Sequence, residues 1–390
     1  MANYANVWPS GGLFAFSGLD GETSFREPFV ASSASEGIAW DFWLTPRLQL
    51  EFQSGTHLLR PAPEADAFCF TDCWDLPITA GEATGRLRGA FIDRNTILLS
   101  VEMNSANEVP VPELVVPKED APRETERVFA REGCWVAVAQ SEPARIRSFA
   151  VAVSYASEVE ARGRARQALV ADINAAIEAR LRFYTAVRLP LRLTSTEEPV
   201  FYKALSIIKV NTESAQEDIP CRWTTPDRMP HRRMWLWDSA FHSMGGRHLP
   251  CRLGEDAISA LLSKQHEDGK LSLAVYPGKM DSEEHDTQPP IVAWAVWKQF
   301  ERSENEGFLE GVYPNLVRYL QWFEQHRKNA NGLYGWYVRA DDDPIRAARG
   351  GESGMDNSPR FDKVTSMTAV DLCSYLAAEY LVMKKVARKL

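Results

Sequence analysis

The sequence holds no apolar run long enough to cross a bilayer, and its first ten residues, Met1 to Ser10, show no basic segment leading into an apolar one. Neither a membrane span nor a secretory leader is expected, and the expected location is the cytoplasm. Positive charge is not in excess: 44 Lys and Arg stand against 53 Asp and Glu, a net charge of −9. That balance argues against nucleic acid or an anionic membrane as partner. Cysteine is sparse, six residues scattered at Cys69, Cys73, Cys134, Cys221, Cys251 and Cys373 with no CxxC pair. A disulfide framework or zinc site is not indicated, and buried free thiols are the expectation. The glycine-rich opening 10–21 lacks a Gly-Lys-Ser/Thr ending and reads as hairpin turns, not a phosphate loop. No G-x-S-x-G elbow is present. His231, His242, His266 and His285 show no HExxH spacing, so no metal site is drawn from them. His242 is expected to pack or hydrogen-bond within its own helix. No cofactor is implied, and carboxylate chemistry is what remains.

What is present divides the chain into an α+β, multidomain arrangement. In residues 1–155 apolar residues alternate with polar or small ones: Leu48, Leu50, Phe52; Ile97, Leu99, Val101, Met103; Phe149, Val151, Val153, Tyr155. Period two between Gly- and Pro-rich turns predicts strands of a β-sandwich. From Glu158 the period changes. Val159, Leu169, Val170, Ile173, Ile177 and Leu181 predict one long helix within a linker over 156–194. Beyond it, Ser195 and Glu198 suggest a capping box opening a helix over about 196–212. Further helices are expected near 237–248, 255–267, 290–303, 313–329 and 365–388. Helical hairpins after a sandwich suggest an α/α toroid over 195–390, with only about half of its helices in this chain.

Three polar clusters sit in the loops and helix starts of the helical part. One runs from Thr225 to His242 and holds Arg233, Trp235, Trp237, Asp238, Phe241 and His242. An aromatic ring stacks on the C–H face of a pyranose, and a carboxylate accepts from two adjacent hydroxyls. Taken singly, Asp238 reads as a helix N-cap and the tryptophans as core. The second joins Gln265 and the Asp268-Gly269 turn to Thr287-Gln288-Pro289-Pro290. Pro290 suits a first helical position, and Gln265 and Gln288 remain as donors to sugar hydroxyls. The third, Gly350 to Asp362, carries Glu352, Asp356, Asn357 and Arg360 with no period of two or 3.6. Its composition alone suits a solvated turn.

Taken together the clusters change that weighting. Arg233-Met-Trp-Leu-Trp-Asp238-Ser-Ala-Phe-His242, Thr287-Gln-Pro-Pro290 and Glu352-Ser-Gly-Met-Asp356-Asn-Ser-Pro-Arg360 resemble, in order and spacing, the motifs of glycoside hydrolase family 63. That family includes processing α-glucosidases and mannosylglycerate hydrolase-like enzymes and is related to trehalases. The resemblance covers about 195–390 and implies an (α/α)6 barrel and inverting hydrolysis of an α-glucoside or α-mannoside. It places the general acid at Asp356. It gives sugar contacts to Arg233, Trp235, Trp237, Asp238, Phe241, His242, Gln265, Gln288, Glu352, Asn357 and Arg360. The family's general base is a Glu near the last helix pair, which the resemblance places beyond residue 390; Asp227, Asp268 and Asp341 to Asp343 are the substitutes within the chain. A half toroid also implies self-association or a partner chain, with Val292, Trp294, Trp297, Leu316, Leu320, Leu372, Leu376 and Leu381 as apolar residues at risk of exposure. The alternative is a non-catalytic carbohydrate-binding or scaffold protein that keeps the pocket without the base.

Overall fold

The computed structural model describes residues 13–16, 30–33, 38–42, 48–54, 57–62, 67–104, 112–115, 126–187, 189, 192–227, 231–249, 252–278, 286–337, 351–355, 358–361 and 366–390. The chain is mixed α/β, sheet-rich in its N-terminal part and helical in its C-terminal part. It forms two compact units, Met1–Val210 and Asn211–Leu390.

The first unit holds two antiparallel sheets. One runs Leu13–Phe16, Val30–Ser33, Ala39–Phe42, Leu48–Ser54, Pro112–Val115, with His57–Leu58 also on Leu48–Ser54. The other runs Glu126–Arg131, Cys134–Gln140, Ile146–Ser154, Thr96–Asn104, Ala83–Asp93, Cys73–Ala80, Arg60–Pro61, with Phe68–Cys69 beside Cys73–Ala80. Leu48, Leu50 and Phe52 point into the core while Gln49, Glu51 and Gln53 stay partly exposed, as period two requires. Both sheets contribute to one core: Trp40 meets Trp74 edge-on at 6.0 Å and Phe52 meets Phe149 at 6.1 Å. The large sheet's other face carries Ala137, Ala139, Ala150 and Ala152, small enough for a helix to lie close through Ala161, Ala165 and Ala168.

That helix, α1 (Glu158–Leu169), is followed by α2 (Ile173–Thr185). The single linker helix expected from the apolar spacing is therefore two. The break falls at Asp172, whose carboxylate accepts from the Asn174 N–H and starts a new helix instead of continuing the old one. The next helix, α3 (Glu197–Val210), carries a reciprocal cap between Thr194 and Glu197: the Thr194 Oγ1 accepts from the Glu197 N–H at 3.3 Å and the carboxylate accepts from the Thr194 N–H at 2.8 Å. Two S/T-x-x-E frames overlap in Thr-Ser-Thr-Glu-Glu, and spacing does not choose between them. A buried polar network ties α2 and α3 to the sheet: Asp72 accepts from Lys209 Nζ at 2.5 Å and from the Tyr184 hydroxyl at 2.8 Å, and the Thr71 N–H donates to Ser206 Oγ.

The second unit contains α4 (Leu236–Gly246), α5 (Leu253–Ser263), α6 (Val292–Ser303), α7 (Glu306–His326) and α8 (Val370–Lys389). The helix α6 packs against α4, α5, α7 and α8. Three two-stranded ribbons fasten the segments before helices: Thr212–Glu213 with Trp223–Thr224, Met234–Trp235 with Ala274–Val275, Gly335–Tyr337 with Ser366–Thr368. The last of these delays α8, which starts at Val370 and not near 365. Pro290 lies before α6 instead of at its first position. In contrast α7 begins well before 313, capped by Asn305, and runs through Pro314. Of the apolar residues expected to be exposed, Val292, Leu316, Leu320, Leu372 and Leu376 are buried. Trp294 and Leu381 are exposed, at 40% and 65%. Among the described residues no helix is long and apolar enough to cross a membrane.

Candidate active site

The three motif loops of the second unit meet at the start of α4. The strand Met234–Trp235 pairs with Ala274–Val275 and passes directly into α4, so Trp235 is the helix N-cap and Asp238 falls in its first turn. Asp238 is thus not the cap. The helix dipole favours its carboxylate there. A residue with no side-chain acceptor at the N-cap leaves first-turn N–H groups in need of partners. One of them is met from the second motif: the Trp237 N–H donates to Gln288 Oε1 at 3.0 Å. Gln288 is 3% exposed, and its carboxamide nitrogen has no partner among the described residues. A nearly buried amide with one committed end and one open end is suited to hold a ligand hydroxyl.

Gln265 is different. Its Nε2 donates to the carbonyls of Gly269 and Asn315 at 2.8 and 3.0 Å. Its Oε1 accepts from Asn315 Nδ2 and from Arg318 at 2.9 and 2.6 Å. All four positions of the amide are taken within the chain, which leaves no donor for a sugar hydroxyl. Gln265 therefore fastens the Asp268-Gly269 turn to α7, a correction to its expected role. His242 also departs from expectation. Its ring nitrogen pairs with Thr224 Oγ1 on the preceding ribbon at 3.0 Å, not with its own helix, and burial pushes the imidazole down to about 4.

The third motif supplies the loop between Gly351–Ser353 and Pro359–Phe361, each a single 3₁₀ turn. Asp356 and Asn357 lie outside the described residues, as do His285 and Asp341 to Asp343. Their flanks are well held. Glu352 is 2% exposed. It takes Arg327 at 2.5 Å, beyond the end of α7, and the Thr287 N–H of the second motif at 3.2 Å. Two residues on, Gly354 has φ +68°, and a Cβ there would lie 2.5 Å from the Trp237 ring. On the far flank Arg360 donates to Asp371, in the first turn of α8, at 2.8 Å. The Trp336 indole N–H donates to the same carboxylate. Of the loop's charged side chains between 351 and 361, Glu352 and Arg360 are committed to partners outside it.

Further residues support this arrangement from behind. The Tyr319 hydroxyl bonds Thr287 Oγ1 at 3.1 Å, and Thr287 donates to the Leu271 carbonyl at 2.7 Å. Glu379 of α8, 1% exposed, accepts from the Ala293 and Trp294 N–H groups, both at 2.8 Å, at the start of α6. Burial raises its carboxyl to about 8, against the pull of those two donors. Neither Arg327 nor Glu379 was legible as a site residue. A cation after a helix and an acid within one are what any solvated helix carries. Phe241 is 45% exposed and lies 5.7 Å from the Trp237 ring. Trp235 donates to the His231 carbonyl, and Arg233 stacks at 4.4 Å over Tyr276. Two of the substitutes for a base are engaged: Asp227 holds His231 through its ring and its N–H at 2.9 and 3.0 Å. Asp268 accepts from Lys270 N and Trp322 Nε1 at 3.0 and 3.1 Å.

Comparison with known proteins adds the following. Residues 230–387 match the family of the mannosylglycerate hydrolase MGH1-like glycoside hydrolase domain. Mannosylglycerate hydrolase MGH2 of Selaginella moellendorffii is 25% identical over 170 residues, 38% of this chain and 33% of that protein. Glucosylglycerate hydrolase of Mycolicibacterium hassiacum is 27% identical over 171 residues, 36% of each chain. Mannosylglycerate hydrolase of Thermus thermophilus is 26% identical over 196 residues, 43% of this chain and 42% of that protein. The chain spans from 33% to 42% of the length of these curated relatives. The resemblance carried by the three motifs is borne out over residues 230–387.

Proposed function

We propose that the domain matched at residues 230–387 hydrolyses the α-glycosidic bond of a glucoside or mannoside of glycerate, with inversion, and that Asp356 is its general acid. The relatives' names supply the substrate class. The assignment of the acid rests on one observation. Glu352, the other acid between 351 and 361, is 2% exposed and paired with Arg327, which leaves the acid of the Glu-Ser-Gly-Met-Asp motif to Asp356. Inversion needs a second carboxylate across a gap of roughly 6.5–9.5 Å, with water between it and the anomeric carbon. The acid protonates the leaving oxygen as water attacks the opposite face. Trp237, with Gly354 against its ring, and the open amide end of Gln288 suit the sugar's apolar face and hydroxyls. Asp238, Phe241, His242 and Asn357 complete the proposed sugar contacts, and helices α4 to α8 are read as part of an (α/α)6 toroid that follows an N-terminal β-sandwich in the chain, in the cytoplasm.

Asp356→Asn tests this on α-glucosylglycerate and α-mannosylglycerate. The amide keeps the size of the acid and loses the proton, so turnover should fall about 10²–10⁴-fold with sugar binding retained. Proton NMR of the first sugar released by the unsubstituted protein should show the β-anomer. Unchanged turnover in the variant would remove Asp356 as the acid, and initial α-anomer would remove inversion.

A further inference from the structure

We infer that Arg233, held over the ring of Tyr276, is the group that reads the carboxylate of the substrate's aglycone; this rests on the reading of the site as a glycosidase. The ribbon pairs Met234 with Val275 and Trp235 with Ala274, and Arg233 and Tyr276, the residues flanking it, lie together. Side chains alternate along a strand, so Arg233, Trp235 and Tyr276 share one face while Met234, fully buried, takes the other. All three on that face are partly exposed. The guanidinium carbon sits 4.4 Å from the Tyr276 ring centroid, within the range of a cation–π contact. That contact restrains the guanidinium, whose planar fork is built to make two parallel bonds to a carboxylate.

The pairing of neighbouring cations sharpens the point. Arg232 takes the buried Glu213, Arg327 takes Glu352 and Arg360 takes Asp371. Arg233 faces no carboxylate among the described residues. It stands two residues before Trp235 and four before Trp237, whose N–H and ring meet the second and third motifs. A fixed, half-buried cation beside a sugar platform discriminates among aglycones by charge. A neutral alcohol of the same size gains nothing from it, whereas a 2-hydroxy or 3-hydroxy acid does.

Calorimetry measures this directly. The probes are α-glucosylglycerate, α-mannosylglycerate and the methyl α-glycosides of the same sugars, titrated into the protein and into Arg233→Gln and Arg233→Lys, each checked by thermal melting. The unsubstituted protein should prefer the glycerate glycoside by about ten-fold at low salt, and the preference should shrink as salt rises. Arg233→Gln should bring the ratio close to one. Arg233→Lys, which keeps charge without the planar fork, should retain part of it. A full preference surviving in Arg233→Gln overturns the assignment while leaving the glycosidase reading intact. Binding of neither the glycerate glycosides nor the methyl glycosides by the unsubstituted protein would sink that reading, and this proposal with it.

Discussion

Gly354 shows how one backbone atom can set the position of an aromatic ring. Its φ of +68° is a conformation that L side chains adopt at a cost, and its Cα lies so near Trp237 that a methyl would meet the ring at 2.5 Å. Both constraints act at once, and the described residues on either side are anchored. Two residues earlier Glu352 is fixed by Arg327, and six later Arg360 is fixed by Asp371. Gly354→Ala should therefore destabilise the helical unit by about 2 kcal/mol and shift the Trp237 ring. Urea denaturation and intrinsic fluorescence measure the two effects. A variant of normal stability and normal emission would show that the loop approaches the ring less closely than this. Legibility at this scale was uneven. Gly354, Glu352 and Arg360 stood out because they crowd into one polar loop. Gln265 looked equal to Gln288 because both are glutamines in motif loops, and only the path of the chain decides which amide has an open end.

At the scale of elements, α6 is positioned by a carboxylate from α8. Glu379 accepts from two N–H groups in the first turn of α6, and Gln288, four residues before that helix starts, caps α4 in turn. The carboxyl is raised from 4.5 to about 8. A folded state that holds its proton more tightly than the unfolded chain loses stability as pH rises between those values. His242 acts in the opposite sense below its ordinary 6.5, because burial lowers it to about 4 and the unfolded chain then binds the extra proton. The clean window lies above 6.5. From pH 6.5 to 8 the helical unit should lose stability at roughly 1.4 kcal/mol per pH unit at most. The slope should vanish in Glu379→Gln, whose amide nitrogen faces one of the two N–H groups and lowers stability at every pH. Denaturation midpoints at half-unit steps of pH, for both proteins, give the answer. Equal slopes would mean that Glu379 is ionised throughout. A helix near 290–303 was expected, and α6 lies there. Its cap was not, because a contact from a residue 85 positions later leaves no local pattern.

Across the whole molecule, the features read correctly are those in which a local period coincides with burial. Leu48, Leu50 and Phe52 alternate because one face meets a core, and the alanines between Phe149 and Val153 are small because α1 lies on them. The features misread are those set by caps and long-range partners: the break at Asp172, the early start of α7, and the burial of Leu316 and Leu372 against neighbouring helices. Each unit has its own core, one centred on Trp40, Trp74 and Phe149, the other on α6 and the helices around it. Units with separate cores unfold separately unless a large apolar interface couples them. Chemical denaturation should accordingly show two transitions. Leu76→Ala empties a site in the first core, and Leu316→Ala one in the second, where the two leucines are each 1% exposed. Each should cost about 2–5 kcal/mol and shift only its own transition. Far-UV circular dichroism assigns them, since helix signal dominates the loss of Asn211–Leu390 and strand signal that of Met1–Val210. A single transition displaced equally by both substitutions would mean that the units fold as one cooperative body.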